Sequence, residues 1–252
     1  MVEPVVPGRH RWLVGLLDAR PGDRVADLGC GTGASLVHVL PVDQALAVGV
    51  DAGAAVLRQA AEALTQREAA ARVLLVRADL KQPLPFPDAA FDRVLCHNVL
   101  ECLPDPEALA AEAGRVLRPG GRLVLSHSDF DTLVFASEDL ELTRRLVRAY
   151  CDAQQSWMEA VDGTIGRRLA AVAGGAGLAV HDVQAQVVVS RRFAPGELGW
   201  GYAHNLAATL AASGDAAPDE LDRWLAGLRR LDAAGTFLFS LNDYAAICGL
   251  AP

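Results

Sequence analysis

Over the first half of the chain, apolar residues follow two alternating rhythms. Short apolar runs at 24–28, 45–50, 72–77, 91–96 and 122–126 are bounded by turn residues and read as buried strands. Between them the apolar positions recur every three or four residues. That spacing predicts helices over 9–19, which carries Trp12, Leu13, Leu16 and Leu17, and over 34–40, 52–69 and 106–117. The stretch Pro83-Leu84-Pro85-Phe86-Pro87-Asp88 holds too many prolines for a helix or a central strand and is read as a loop. Strands and helices in this order predict right-handed βαβ units around a parallel sheet.

The second half is less regular. Residues 133–157 and 163–173 read as helices, and 178–190 alternates well enough for a sixth strand. Residues 193–232 predict two helices broken at Ser213-Gly214-Asp215. A last strand is expected over 236–247, with Phe237, Phe239 and Leu241 on one face. No repeat or linker divides the sequence. The expectation is one domain over 1–252, with a core at 8–127 and helical insertions at 128–162 and 193–235.

Composition narrows the partners. Hydrophobic residues make up 52% of the 252 positions, which suits a large core. The net charge of -8 argues against nucleic acid, whose binding draws on a basic face. Five cysteines (Cys30, Cys96, Cys102, Cys151, Cys248) form no C-x-x-C pair. Neither a metal site nor a disulfide framework is expected, and a reducing cytoplasm fits best. No apolar run reaches the ~18 residues of a membrane span, and residues 1–11 contain no apolar signal core. The expected protein is a cytoplasmic monomer or homodimer.

The candidate chemistry begins at Val25-Ala26-Asp27-Leu28-Gly29-Cys30-Gly31-Thr32-Gly33, a strand running into a tight glycine loop and a helix N-terminus. Glycines there free the backbone to approach a ligand. Gly29, Gly31 and Ala34 also satisfy the dinucleotide pattern. Asp27 separates the two possibilities, because a carboxylate at that place repels a pyrophosphate and attracts an ammonium. Asp51 ends the second strand about twenty residues past the first glycine, where an acidic side chain accepts from ribose hydroxyls. It is equally suited to cap the helix that follows Ala52. Asp79-Leu80, after the third strand, offers a carboxylate and a backbone N–H to an adenine ring. Residues 91–105 end the fourth strand with Cys96, His97 and, further on, Cys102. Leu117-Arg118-Pro119-Gly120-Gly121-Arg122-Leu123 is read as a structural turn before the fifth.

Together these segments, from about 8 to 126, resemble the class I S-adenosylmethionine-dependent methyltransferases, and among them the ubiquinone/menaquinone-biosynthesis-like small-molecule enzymes. Many relatives carry His where Cys102 stands. The resemblance implies a Rossmann-like sheet of seven strands whose last runs antiparallel, with helices on both faces and the insertions as a substrate lid. It implies S-adenosylmethionine as methyl donor, leaving S-adenosylhomocysteine. The cofactor-binding set is then Asp27, Gly29, Cys30, Gly31, Gly33, Asp51, Ala52, Asp79, Leu80, Cys96 and His97.

Methyl transfer from a sulfonium is largely a matter of alignment, so no base is forced by the fold. Where one is needed, His127 and His204 rank ahead of His97. Asp129 and Asp131 are weaker, and His10, His38 and His181 have no motif around them. The insertions hold Phe130, Trp157, Phe193, Trp200, Tyr202, His204 and Asn205, a set suited to a small, partly apolar acceptor. No N-P-P-Y-type run is present, which favours methylation of oxygen or carbon in biosynthetic or secondary metabolism. An alternative is a protein that keeps the cofactor site but acts as a cyclase or scaffold without transfer. A nicotinamide oxidoreductase is a third reading, opposed by Asp27 and by the absence of a second nucleotide-binding half.

Overall fold

Four of the five residues of β1 (Arg24–Leu28) are buried, and every residue of β4 (Phe91–His97) is. Strands buried on both faces need helices on both sides, and a parallel sheet supplies that arrangement. In the computed structural model, which describes residues 8–39, 41–42, 45–66, 72–156, 158–159 and 163–251, these two strands are the centre of a seven-stranded sheet. The others are β2 (Leu46–Asp51), β3 (Val73–Arg77), β5 (Leu117–Phe135), β6 (Leu178–Ser190) and β7 (Phe239–Leu250). Their order is β3-β2-β1-β4-β5-β7-β6, and β7 alone runs against the rest. The seven-stranded sheet with an antiparallel last strand is the fold the sequence resemblance implied. Strand order reverses between β1 and β4, so a crevice opens there beyond their carboxyl ends.

Two apolar layers flank the sheet. On one side α1 (Arg9–Leu17), α2 (Leu36–Val39) and α3 (Ala54–Thr65) bury Leu13, Leu17, Leu36, Val39, Leu57 and Leu64. On the other, α4 (Pro106–Val116) and α6 (Ile165–Gly175) bury Leu109, Ala113, Val116, Ile165, Leu169 and Val172. The start of α4 follows from its sequence: the Asp105 carboxylate accepts the Ala108 N–H at 3.0 Å, and Pro106 fills the first turn. A separate core gathers α5 (Leu140–Asp152), α7 (Leu198–Ser213) and α8 (Pro218–Ala233) around the outer ends of β5 and β7. Among the described residues no helix is long and apolar enough to cross a membrane. Helical positions 67–69 and Leu40 lie outside the described residues.

Two expectations need correction. β5 does not end at Ser126 but runs on to Phe135, so residues 133–135 are strand and the first insertion starts beyond them. Antiparallel pairing with β7 carries it there: Leu123 to Asp129 pair with Cys248 to Asn242, and after a register shift Val134 and Phe135 pair with Ser240 and Phe239. The run His127-Ser128-Asp129 lies beyond the expected strand and is polar, yet all three side chains are buried. Each is satisfied by a distant partner. The Arg118–Gly121 turn is likewise taken up into β5 as an irregularity, with Gly120 at φ +75°.

One of those partners reaches across the fold. Arg9 of α1 and Asp243 of β7 are both fully buried. The guanidinium donates from Nε and Nη2 to the two carboxylate oxygens, at 2.6 Å each. Removing one member leaves the other charge stranded, so Asp243→Ala should cost about 3–5 kcal/mol. Replacing both, as Arg9→Met with Asp243→Leu, should cost less than either single change. Urea denaturation of the single and double variants measures this, and a double variant as weak as the singles would refute it.

Candidate ligand-binding cleft

The crevice between β1 and β4 is a cleft of about 460 Å³, within the range of small-molecule sites. β1 ends in the glycine loop. Gly29 stands at φ +76°, and a Cβ there would lie 2.2 Å from a Val99 methyl, so only glycine fits. Its N–H and that of Cys30 donate to the Val50 carbonyl at 2.7 and 3.0 Å, which bends the loop over β2. Asp51, ending β2, accepts the Gly31 N–H at 3.0 Å and the Gly53 N–H at 2.8 Å. Its carboxylate therefore pins the loop and begins α3 together.

Of the residues expected to hold the cofactor, Asp27, Gly29, Cys30, Gly31, Asp51, Ala52, Asp79, Leu80 and His97 line this cleft. Two do not. Gly33 is a packing glycine, where a Cβ would meet Ala60 of α3 at 3.3 Å, and Cys96 is fully buried in the core beneath α4 and α6. The glycine pattern does not distinguish a residue that faces a ligand from one that lets a helix approach. Nor does β4 reveal which of two neighbours points outward.

The electrostatics of the cleft are uneven. Asp27 is 4% exposed at its floor. Burial, and then the nearby Asp51 carboxylate, push its pKa from 3.8 up to about 7. Burial also raises the Cys30 and Cys102 thiols, so neither is a thiolate at neutral pH. At the other end His97 and His10 meet edge to face, their centroids 5.9 Å apart. Nδ1 of His97 meets Ser126 Oγ at 3.2 Å, and Nδ1 of His10 meets Ser35 Oγ at 2.9 Å. Burial first, and then the Arg9 charge, lower both pKa values, that of His10 to about 4.

Neither histidine ranked first as a base lies in the cleft. His127 is buried, with Nε2 on the Glu101 carboxylate and Nδ1 on the Ser128 carbonyl at 2.6 Å. The Ser128 carbonyl accepts from Nδ1, and a carboxylate beside Nε2 favours the protonated ring. Burial opposes that charge, but Glu101 outweighs it and raises the pKa. His204 of α7 lies stacked between Trp200 and Phe193, and its Nδ1 donates to the Trp200 carbonyl at 2.8 Å. It is a packed, back-bonded residue. Asp129 is held by Arg167 at 2.6 and 2.7 Å, and Asp131 by the same guanidinium at 3.2 Å. The aromatic set is corrected too: Phe130, Phe193, Trp200 and Tyr202 build the separate core, and Asn205 donates to the Tyr150 hydroxyl at 2.6 Å. None of them lines the cleft. Trp157 lies outside the described residues.

Sequence reasoning passed over His10, Ser35, Lys81 and Asn98, all of which line the cleft. His10 did leave a trace. It is in phase with Leu13, Val14 and Leu17, the buried stripe of α1, and a polar residue in an apolar stripe faces something other than solvent.

Known proteins share this frame. The Methyltransferase domain family matches residues 26–125. An uncharacterised 37.1 kDa protein of a Streptomyces fradiae transposon is 34% identical over 94% of this chain and 65% of its own length. The 27-O-demethylrifamycin SV methyltransferase of Amycolatopsis mediterranei is 35% identical over 54% of this chain and 48% of its own. The chain thus spans about half to two thirds of these relatives. Among solved structures, the YcgJ protein of Bacillus subtilis superposes with a TM-score of 0.63 at 20% identity, covering 96% of this chain and 98% of that one.

The carboxyl of Asp27 generates a prediction. Because its folded pKa lies above its unfolded value of 3.8, the stability it contributes is full below pH 4 and is lost as pH rises through about 7. A ligand ammonium needs the carboxylate, so binding of S-adenosylhomocysteine should strengthen from pH 5.5 to 7.5, by up to about tenfold per unit. Asp27→Asn should weaken binding and flatten that slope. Calorimetry across the range decides, and an unchanged slope in the variant removes Asp27 from the site.

Proposed function

Since the chain belongs to the class I S-adenosylmethionine-dependent methyltransferases, we propose that it transfers the methyl group of S-adenosylmethionine to a small, partly apolar acceptor. The observation that carries this reading is the buried carboxyl of Asp27, held near pKa 7 beside a second carboxylate on the floor of a glycine-loop cleft. Two carboxyl groups facing one cavity are costly to ionise together, and a ligand ammonium offsets that cost. A pyrophosphate would add to it, which disfavours a dinucleotide.

The donor supplies an electrophilic methyl on a sulfonium. The chain's task is to hold it and to place the acceptor. In this reading Asp27 takes the ammonium, the Gly29–Gly31 backbone lies along the amino-acid tail, Asp51 accepts from the ribose hydroxyls, and Asp79 with the Leu80 N–H meets the adenine. Val56, Leu80, Val99 and Leu103 provide apolar wall, which excludes water and strengthens the polar contacts. Oxygen or carbon is the atom methylated, in biosynthetic or secondary metabolism. The rifamycin relative, an O-methyltransferase by name, supports that choice.

S-Adenosylhomocysteine should bind and NADH should not. Asp51→Asn should weaken S-adenosylhomocysteine by tenfold or more, since a lost charge-assisted hydrogen bond costs about 1.5–3 kcal/mol. Calorimetry measures both, and release of S-adenosylhomocysteine across a panel of hydroxylated and enolic acceptors measures transfer. Tight NADH binding would refute the reading. Cofactor binding with no transfer to any acceptor would favour the cyclase or scaffold alternative.

A further inference from the structure

At the opposite end of β4 from the cleft, a second cavity of about 240 Å³ is lined by Arg20, Arg93, Arg118, Arg122, His181 and Asp18. The chain carries a net charge of -8, which makes such a concentration of guanidiniums unexpected. With Arg24 beside them, five guanidiniums share three carboxylates. Asp92 takes Arg118 at 2.6 Å and lies 3.9 Å from Arg24, and Asp23 takes Arg93 at 3.3 Å. Asp18 stands between Arg20 and Arg122 at 3.8 and 4.0 Å, beyond hydrogen-bonding distance of either. Arg93 and Arg122 are also register partners on β4 and β5, so like charges sit side by side.

Holding α1 accounts for part of this cluster. Arg93 donates to the Asp18 carbonyl and Arg122 to that of Leu16, which satisfies the last turn of the helix. That role leaves Arg20, Arg118 and His181 around the same cavity unexplained. His181 is the extra residue of a bulge in β6, where Val180 pairs with Cys248 and Asp182 with Ile247. A Cβ at Gly249 would lie 2.6 Å from His181 Nε2, so the glycine makes room for the ring. The neighbouring Asp182 carboxylate is engaged along its own strand, by the Val183 N–H and the Gln184 amide at 2.9 Å each. Gly120 lines the cavity with bare main chain, and nothing lies within 4 Å of where its Cβ would stand.

We propose that this cavity binds a phosphoryl group. Guanidinium forks match phosphate oxygens, and a multiply charged anion draws on several cations at once. Arg20, Arg118 and Arg122 have side chains 72%, 47% and 38% exposed, so solvent-borne oxygens can reach them, while Arg93, 6% exposed, adds charge from behind. The volume is below the ~300 Å³ at which pockets for whole drug-sized ligands begin. It suits a phosphate or pyrophosphate, taken either as the free inorganic anion or as the phosphate end of a larger molecule whose remainder stays in solvent. Nothing in this site depends on the methyltransferase reading.

Calorimetry at low salt tests it. Pyrophosphate, inorganic phosphate, phenyl phosphate and, as a carboxylate control, citrate are titrated into the wild type, Arg20→Gln, Arg118→Gln and Arg148→Gln. Arg148 of α5 lies outside the cavity, and its loss changes the net charge equally. The wild type should bind pyrophosphate about tenfold more tightly than citrate. Arg20→Gln and Arg118→Gln should each weaken pyrophosphate by about five- to tenfold, as expected for a lost charge-assisted contact, whereas Arg148→Gln should change it less than about twofold. Phenyl phosphate binding as tightly as inorganic phosphate identifies a phosphorylated molecule as the source, and binding of the inorganic anions alone identifies the free anion. Either result supports the site. It is overturned if no phosphoryl ligand binds, if citrate equals pyrophosphate, or if neither cavity variant weakens binding more than Arg148→Gln does. Should Arg118→Gln fail to fold, Arg20→Gln decides by the same comparison, since the Arg20 side chain contacts only the distant carboxylate of Asp18.

Discussion

Two opposite charges with no exposure to water, Arg9 and Asp243, hold the wall of the cleft in place. Taking such ions out of water costs several kcal/mol each, and only close, two-pronged contact with further hydrogen bonds repays it. The contact here is two-pronged, and Ser128 joins it by accepting from Arg9 and donating to Asp243 at 2.8 Å. Ser128 then passes the constraint on, because its N–H donates to Asn98 Oδ1 at 2.9 Å. Asn98 stands at φ +52°, a conformation that a side chain with its own hydrogen bonds tolerates best. Its N–H donates to the Ser126 carbonyl, and Ser126 Oγ meets His97. A chain of polar contacts therefore runs from α1 through β7 and β5 to the end of β4. It fixes His10 and His97 against one another from opposite sides. The value of this network is positional, since apolar residues would fill the same space at no greater cost.

The cleft inherits an internal polarity from that network. Its floor carries Asp27 and Asp51, which repel each other and hold a proton near neutrality. Its other end carries two imidazoles that burial, and then the Arg9 charge, keep from charging. In water such groups would be indifferent to one another. In a partly closed cavity the effective dielectric is low enough for such groups to act on one another. The glycine loop itself, pinned by Asp51, adds backbone donors without adding charge.

Most of the sheet was legible because buried parallel strands leave short apolar runs between turn residues, and six of the seven segments fall within a few positions of the expected ones. The fifth was misjudged at its far end for a physical reason. His127, Ser128 and Asp129 are buried only because Glu101, Asn98, Arg9 and Arg167 meet them from elsewhere, and no local pattern encodes a distant partner. The same blindness made His127 look like a base. Spacing correctly set Trp200 and His204 on one face of a helix but could not say what that face meets, which is Phe193 and the separate core. The carboxylates at the ends of β1 and β2 and beyond β3 were legible as residues of the crevice because the carboxyl ends of the strands face it. His10 was not, because its importance lies in where α1 docks.

Two charged contacts at the cleft differ greatly in strength. At the rim, Lys81 of the cleft pairs with Glu159, which follows α5, and both side chains are nearly half exposed. An exposed pair of this kind is worth about 1 kcal/mol or less. Breaking the buried Arg9–Asp243 pair costs several times that. The cleft thus has one wall fixed by buried charge and a rim contact that solvent competes for. The family resemblance follows the same division. The matched segment, 26–125, runs from within β1 to the middle of β5 and includes the cleft's carboxylates, whereas His10, Ser128, Glu159 and Asp243 lie outside it. The carboxylates of the cleft therefore lie in the shared segment, whereas the Arg9–Asp243 pair that fixes its wall lies outside it.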